Sequence, residues 1–203
     1  MITIVNYGLG NLGSIQNMLK KIGVIDVLIS NNPDDILNAD KLILPGVGAF
    51  DAGMSKINNL GLVPVLNKAV MELKKPVLGI CLGMQLMTQK SEEGELKGLS
   101  WMNAEVKKFQ FENSELKVPH MGWNFVEVKD ENLKMNLIDP SRFYFVHSYY
   151  IQCHDTSDVL ITCQYGNEFV AGFKKDNMMG VQFHPEKSHK YGMELMRYFV
   201  EKF

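Results

Sequence analysis

The chain lacks any apolar run approaching the roughly twenty residues that a helix needs to cross a bilayer. Its first residues, Met1-Ile2-Thr3-Ile4-Val5-Asn6, carry no basic lead, and their apolar run is too short for a secretory leader. Both absences predict a cytoplasmic protein. Cysteine is scarce as well. Cys81, Cys153 and Cys163 make an odd number at no metal-like spacing, which excludes a disulfide framework and predicts free thiols in a reducing compartment. Neither sign of charge dominates. Lys and Arg number 21 against 23 Asp and Glu, a net charge of −2, so nothing points to a nucleic-acid or membrane surface. Internal repeats, low-complexity tracts and Pro/Gly/Ser-rich linkers are missing too.

What is present is a globular composition. Hydrophobic residues make up 46% of 203 positions, enough for one domain spanning 1–203 with a well-buried core. In the first half, short β-branched runs alternate with helical patterns. Residues 2–5, 24–29, 42–44 and 77–80 read as buried strands. Residues 14–22, with apolar positions at helical spacing, read as a helix, as do a short stretch after Asn32 and residues 52–58 and 63–74. That alternation predicts a parallel sheet covered on both faces, with its working loops beyond the carboxyl ends of the strands. Three glycine-bearing loops (8–11, 46–48, 79–83) fall at that edge. After Gly98 the texture changes to alternating, aromatic-rich strands at 102–111, 118–128, 142–151, 159–163, 169–173 and 179–183, read as antiparallel, before a closing helix at 190–202. The expected architecture is therefore α/β, three-layered, with a mostly parallel central sheet and antiparallel strands in the C-terminal half.

The run Pro76-Val77-Leu78-Gly79-Ile80-Cys81-Leu82-Gly83-Met84-Gln85 organises the chemistry. A buried strand ends at a cysteine flanked by glycines, and a helical segment follows at once. This is the thiol counterpart of a strand-turn-helix nucleophile elbow. The glycines leave room where a sharp turn admits no Cβ, and the helix start favours a thiolate. On the other reading Cys81 is a small apolar residue filling a strand end. A nucleophilic thiol needs a base and a group to hold that base. Gly180-Val181-Gln182-Phe183-His184-Pro185-Glu186 delivers His184 at a strand exit, with Glu186 two residues on across a stiff proline. The expected triad is Cys81, His184 and Glu186. The glycines of Gly8-Leu9-Gly10 lack the third glycine of a dinucleotide fingerprint, so nucleotide binding is not expected. Cys153, Cys163 and His154 read as structural or incidental, and His120 and His147 as hydrogen-bonded supports.

Gly79-Ile80-Cys81-Leu82-Gly83-Met84-Gln85 together with Gln182-Phe183-His184-Pro185-Glu186 resembles the class I, triad-type glutamine amidotransferases. Pro45-Gly46-Val47-Gly48 resembles the oxyanion strand of that family. Asn6-Tyr7-Gly8-Leu9-Gly10-Asn11-Leu12, Pro119-His120-Met121-Gly122-Trp123-Asn124 and Tyr144-Phe145-Val146-His147-Ser148-Tyr149 narrow the resemblance to the branch of glutaminase subunits serving imidazole glycerol phosphate synthases of histidine biosynthesis. The likeness runs over nearly the whole chain, from Ile4 to about Phe199.

The resemblance implies hydrolysis of glutamine to glutamate and ammonia without a cofactor or metal. It implies an oxyanion hole from Leu82 and from Val47 and Gly48, on a loop that is mobile in the family. It places Gln85, Glu93, Ser148 and Tyr149 around the bound glutamine. It further implies a heterodimer with a (β/α)8 synthase subunit that receives the ammonia, with Asn11, Met121, Trp123 and Asn124 at the interface and Trp123 as a gate. Ser188-His189-Lys190 departs from the family pattern, where a small residue is common. A paralogous role, feeding a related synthase that amidates surface-glycan sugars, shares all these motifs. Two other readings stand beside these: a scaffold that has lost activity, and a different cysteine hydrolase on the same fold.

Overall fold

The computed structural model describes residues 1–111 and 116–203. Five strands form the parallel part of the sheet: β1 (Ile2–Val5), β2 (Val27–Ser30), β3 (Lys41–Leu44), β4 (Val77–Ile80) and, from the far end of the chain, β12 (Met178–Val181). Their order is β2-β1-β3-β4-β12. Among the described residues, seven more strands lie between β4 and β12 in sequence: β5 (Lys90–Ser91), β6 (Ala104–Lys108), β7 (His120–Val128), β8 (Arg142–His147), β9 (Tyr149–Cys153), β10 (Val159–Tyr165) and β11 (Asn167–Lys175). β11 pairs antiparallel with β12, and β10, β7 and β8 continue the sheet antiparallel, while β9 leaves β11 to pair with β6. The expected switch from parallel to antiparallel texture is present.

The helices are α1 (Leu12–Lys21), α2 (Pro33–Asn38), α3 (Phe50–Asn59), α4 (Leu62–Asn67), α5 (Leu82–Leu86), α6 (Glu131–Lys134) and α7 (His189–Lys202). Alternation along the strands splits the apolar residues into two cores. Leu42, Leu44 and Val77 face α3 and α4, whereas Ile43, Leu78 and Ile80 face α1 and α7. That is the three-layer arrangement, and it follows from the period of two in a pleated strand.

Local differences from the sequence reading have physical causes. The strand expected at 24–29 starts only at Val27, because Ile25 is 93% exposed and cannot anchor a buried run. The helix expected at 63–74 is α4 followed by a π-helical turn, Lys68–Glu72. The strand expected at 142–151 breaks at Ser148, where the chain passes from pairing with β7 to pairing with β6. That break lies at the site.

Candidate active site

β1, β3, β4 and β12 run the same way, so their following loops share one edge. Cys81 caps the end of β4 with φ +53° and ψ −111°, a strained conformation for a residue with a side chain. Its backbone is over-determined: its N–H donates to the Val181 carbonyl at 2.8 Å, and its carbonyl accepts from the Gln85 N–H at 3.2 Å. The flanking glycines are dictated by close approach. A Cβ on Gly83 would lie 1.8 Å from the Leu44 carbonyl oxygen, and one on Gly79 would lie 2.6 Å from the Met87 sulfur and 2.8 Å from the Met84 backbone. Cys81 does cap a helix, but α5 is only five residues long. The macrodipole is correspondingly small, and what reaches the sulfur is the local set of unpaired N–H groups of the first turn.

β12 delivers His184. Its N–H donates to the Tyr144 carbonyl at 2.9 Å, and the neighbouring Phe183 ring stacks on Phe143 with centroids 3.8 Å apart. The Pro185–Lys187 turn packs against α7 so closely that a Cβ on Gly192 would lie 1.9 Å from the Pro185 oxygen. Ser188 ties the turn down, donating its hydroxyl to the His184 carbonyl at 2.7 Å and accepting from the Tyr144 N–H at 3.0 Å. The result aims Glu186 Oε1 at His184 Nδ1, 2.8 Å away, with side chains only 2% and 1% exposed.

Burial alone would disfavour the imidazolium. Cys81 on one side and Glu186 on the other outweigh it and push His184 up to about 9. That shift favours the imidazolium, the form that pairs with the buried Glu186 carboxylate. The His184 Nε2 is buried and has no hydrogen-bond partner at normal length, so the sulfur stands near it without an aligned bond. The other two thiols are different. Burial raises Cys153 and Cys163 to about 12, which leaves them inert beside Cys81.

A cavity of about 530 Å³ opens over Cys81. Val47, Gly48, Leu82 and His184 line it, and so do Gln85, Glu93, Ser148 and Tyr149. Glu186 stands behind His184 rather than in the cavity. Within the charged run it is Glu93 that turns inward: its carboxylate accepts the Phe50 N–H at the start of α3 at 2.8 Å. Glu92 turns outward, to Lys107 and the Lys108 N–H. The loop between β3 and α3 has two parts. Pro45 and Gly46 are buried, and the Tyr7 hydroxyl donates to the Pro45 carbonyl. Val47, Gly48 and Ala49 are exposed, and Gly48 holds φ +100° with open space where a Cβ would sit.

Asn11, Met121, Trp123 and Asn124 lie outside the cavity. On β7 the alternation is inverted: Met121, Trp123 and Phe125 are exposed, at 63, 42 and 55%, while His120 is buried. Trp123 lies against the His189 ring at 5.7 Å and the Arg142 guanidinium at 5.5 Å.

Sequence reasoning passed over several groups, among them Ala49, Val146 and His147, which line the cavity. Pro119 and Lys187 also line the cavity, and Gln182, fully buried, donates its amide to the Cys81 sulfur at 3.7 Å. Gln182 stood in a motif that was read for its histidine, so its own place was the signal overlooked.

The comparisons with known proteins place the chain in a family. The family model for glutamine amidotransferase class-I matches residues 3–203. The imidazole glycerol phosphate synthase subunit HisH 2 of Methanococcus maripaludis is 56% identical over 203 residues, covering all of both chains. HisH 2 of Pseudomonas aeruginosa is 49% identical over 202 residues, covering 99% of each. Among solved structures, a glutamine amidotransferase from Thermotoga maritima shares the fold, with a TM-score of 0.65, 18% identity and coverage of 98% of this chain and 82% of that one. The chain belongs to the class-I glutamine amidotransferases, among the HisH subunits of imidazole glycerol phosphate synthase.

Proposed function

We propose that this chain is the glutaminase subunit of an imidazole glycerol phosphate synthase and that Cys81, His184 and Glu186 are its catalytic triad. The observation that carries this reading is the strained cysteine at the floor of the cavity, beside a histidine whose far nitrogen is held by a buried carboxylate at 2.8 Å.

The Cys81 thiolate attacks the side-chain carboxamide carbon of glutamine. The oxyanion is met by the Leu82 N–H and by an N–H of the Val47-Gly48 segment, donors of a kind that each contribute roughly 10²–10³ in rate. The C–N bond breaks as His184 gives its proton to the leaving ammonia, and a thioester remains on Cys81. Water, deprotonated by His184, then cleaves it to glutamate and returns the thiol. Glu93 faces the substrate's α-amino group, and Gln85, Ser148 and Tyr149 complete its cradle. Ammonia passes to a (β/α)8 synthase subunit docked on the face that carries Asn11, Met121, Trp123 and Asn124. The outward apolar set on β7 supports that docking face, since a monomer gains nothing by exposing it.

A second reading has one observation behind it. Both HisH relatives above carry the number 2 in their names. A second subunit is free to feed a related synthase that amidates surface-glycan sugars, with the same site. Glutamate release should be measured for wild type and Cys81→Ala, alone and with each kind of barrel subunit loaded with its acceptor. Strong stimulation by the histidine-pathway partner, abolished by Cys81→Ala, is the expected result. Stimulation by the other partner only would move the pathway and keep the chemistry. Glutamate release untouched by Cys81→Ala would overturn the triad.

A further inference from the structure

We infer that Gln182 is a positioning residue for Cys81 and that it ends a continuous hydrogen-bonded relay beginning at Asn124, a half-buried residue on the His120 side of β7. The inference rests on the reading of Cys81 as the nucleophile.

The relay can be followed atom by atom. Asn124 Nδ2 is oriented by a second bond to the Gln164 carbonyl at 2.9 Å, and its Oδ1 accepts the Phe125 N–H at 2.9 Å. An amide nitrogen can only donate, so the 3.3 Å contact makes His120 Nε2 an acceptor. A neutral His120 then carries its proton on Nδ1 and donates to His147 Nε2 at 2.9 Å. His147 in turn donates from Nδ1 to the Tyr149 carbonyl at 2.7 Å. That carbonyl also accepts from Gln85 Nε2 at 3.2 Å. The second hydrogen of the same Gln85 nitrogen goes to Gln182 Oε1 at 3.0 Å. With its oxygen so occupied, Gln182 turns Nε2 to Cys81 Sγ at 3.7 Å, an ordinary length for sulfur.

Every donor and acceptor direction in the chain is thereby assigned. Both histidines must be neutral for it to hold, and burial lowers His120 to about 4 and His147 to about 3. The other titratable groups near Cys81 are His184, with Glu186 behind it, and Tyr7 beneath, while Glu93 stands across the cavity. None of these gives the sulfur a neutral, fixed N–H donor. Gln182 does, from a side chain with no exposure. A donor aimed at a thiolate favours the charged form.

The chain ends on the sulfur at one side and at half-buried Asn124, behind the outward face of β7, at the other. A displacement of Asn124 or His120 therefore reaches Sγ through the chain of hydrogen bonds, without movement of the backbone of β4. Tyr149 is where the two arms meet, and it also borders the cavity.

The test uses the full-length chain and three variants: Gln182→Met, which keeps the length and removes the donor, His120→Phe, which keeps the ring and its stacking on Phe145 and Tyr165, and the double substitution. Alkylation of Cys81 by iodoacetamide is followed against pH by mass spectrometry of the Cys81 peptide. Glutamine turnover is measured separately in the complex with the barrel subunit. Gln182→Met should move the alkylation midpoint upward by about one pH unit, and should lower kcat about tenfold with KM within about threefold. His120→Phe should move the midpoint the same way by a smaller amount, and the double variant should match Gln182→Met alone. If either variant fails to fold, Gln182→Asn and Asn124→Leu serve in their places. An unmoved midpoint in Gln182→Met, or additive shifts in the double variant, would overturn the relay while leaving the nucleophile intact. A wild-type Cys81 that resists alkylation at every pH would remove the nucleophile and the relay together.

Discussion

Cys81 sits where three constraints meet: the end of β4, a backbone strained by about 1–3 kcal/mol, and two neighbours that tolerate no side chain. Gly83→Ala tests the last of these constraints directly. The Leu44 carbonyl that its methyl would strike is backbone and cannot rotate away, so about 3 kcal/mol of overpacking and a drop in Tm of roughly 10 °C are expected. A Tm within about 2 °C of wild type in a thermal scan would mean that the turn is looser than its geometry implies. At this scale the site was legible wherever its meaning is local. Gly79, Cys81 and Gly83 are two residues apart, and His184 and Glu186 are two apart. Gln182 was not legible, because its meaning depends on a cysteine 101 positions away in the chain. The inward turn of Glu93 rather than Glu92 depends likewise on the start of α3, far back in sequence.

Among the elements, the loop from β3 to α3 is held at both ends and exposed only between them. Tyr7 clamps its first carbonyl, Glu93 holds the N–H at its far end, and only Val47, Gly48 and Ala49 between them are exposed. Tyr7→Phe removes the clamp and leaves the buried Pro45 carbonyl unpaired, a loss of about 1–3 kcal/mol. Turnover of glutamine in the complex should fall about tenfold with KM little changed, because the proposed oxyanion donors lose their fixed base while the proposed substrate cradle stays in place. Unchanged kcat in steady-state kinetics would show that the loop needs no anchor at Tyr7. Strands were legible here from β-branched runs, and α7 from its apolar face. The inverted parity of β7 was not, since alternation shows which residues share a face but not which face meets solvent. The break at Ser148 escaped for a related reason. The run 142–151 is uniformly strand-like, and only the change of pairing partner from β7 to β6 divides it.

Over the whole molecule, a parallel half supplies the edge on which Cys81 and His184 converge, and an antiparallel half supplies the proposed relay and the exposed face of β7. Among the described residues no helix is long and apolar enough to cross a membrane. Three buried histidines give the fold a pH signature. His184 rises from an ordinary 6.5 to about 9, so its share of stability is complete below pH 6.5 and is lost as pH climbs through 9. His120 and His147 fall to about 4 and about 3, so their share is complete above pH 6.5 and is lost as pH drops towards those values. Stability should peak near pH 6.5, and Glu186→Gln should flatten the alkaline side by removing a partner of the imidazolium. Chemical denaturation at a series of pH values checks this, and a curve still rising between pH 7 and 9 would contradict it.

The most direct measurement is to acid-quench the working complex during turnover of glutamine and map the acyl group by mass spectrometry. A γ-glutamyl thioester on Cys81, absent in Cys81→Ala, is the expected result. Glutamate accumulating with no acyl group on Cys81, or with one on another residue, would contradict the triad.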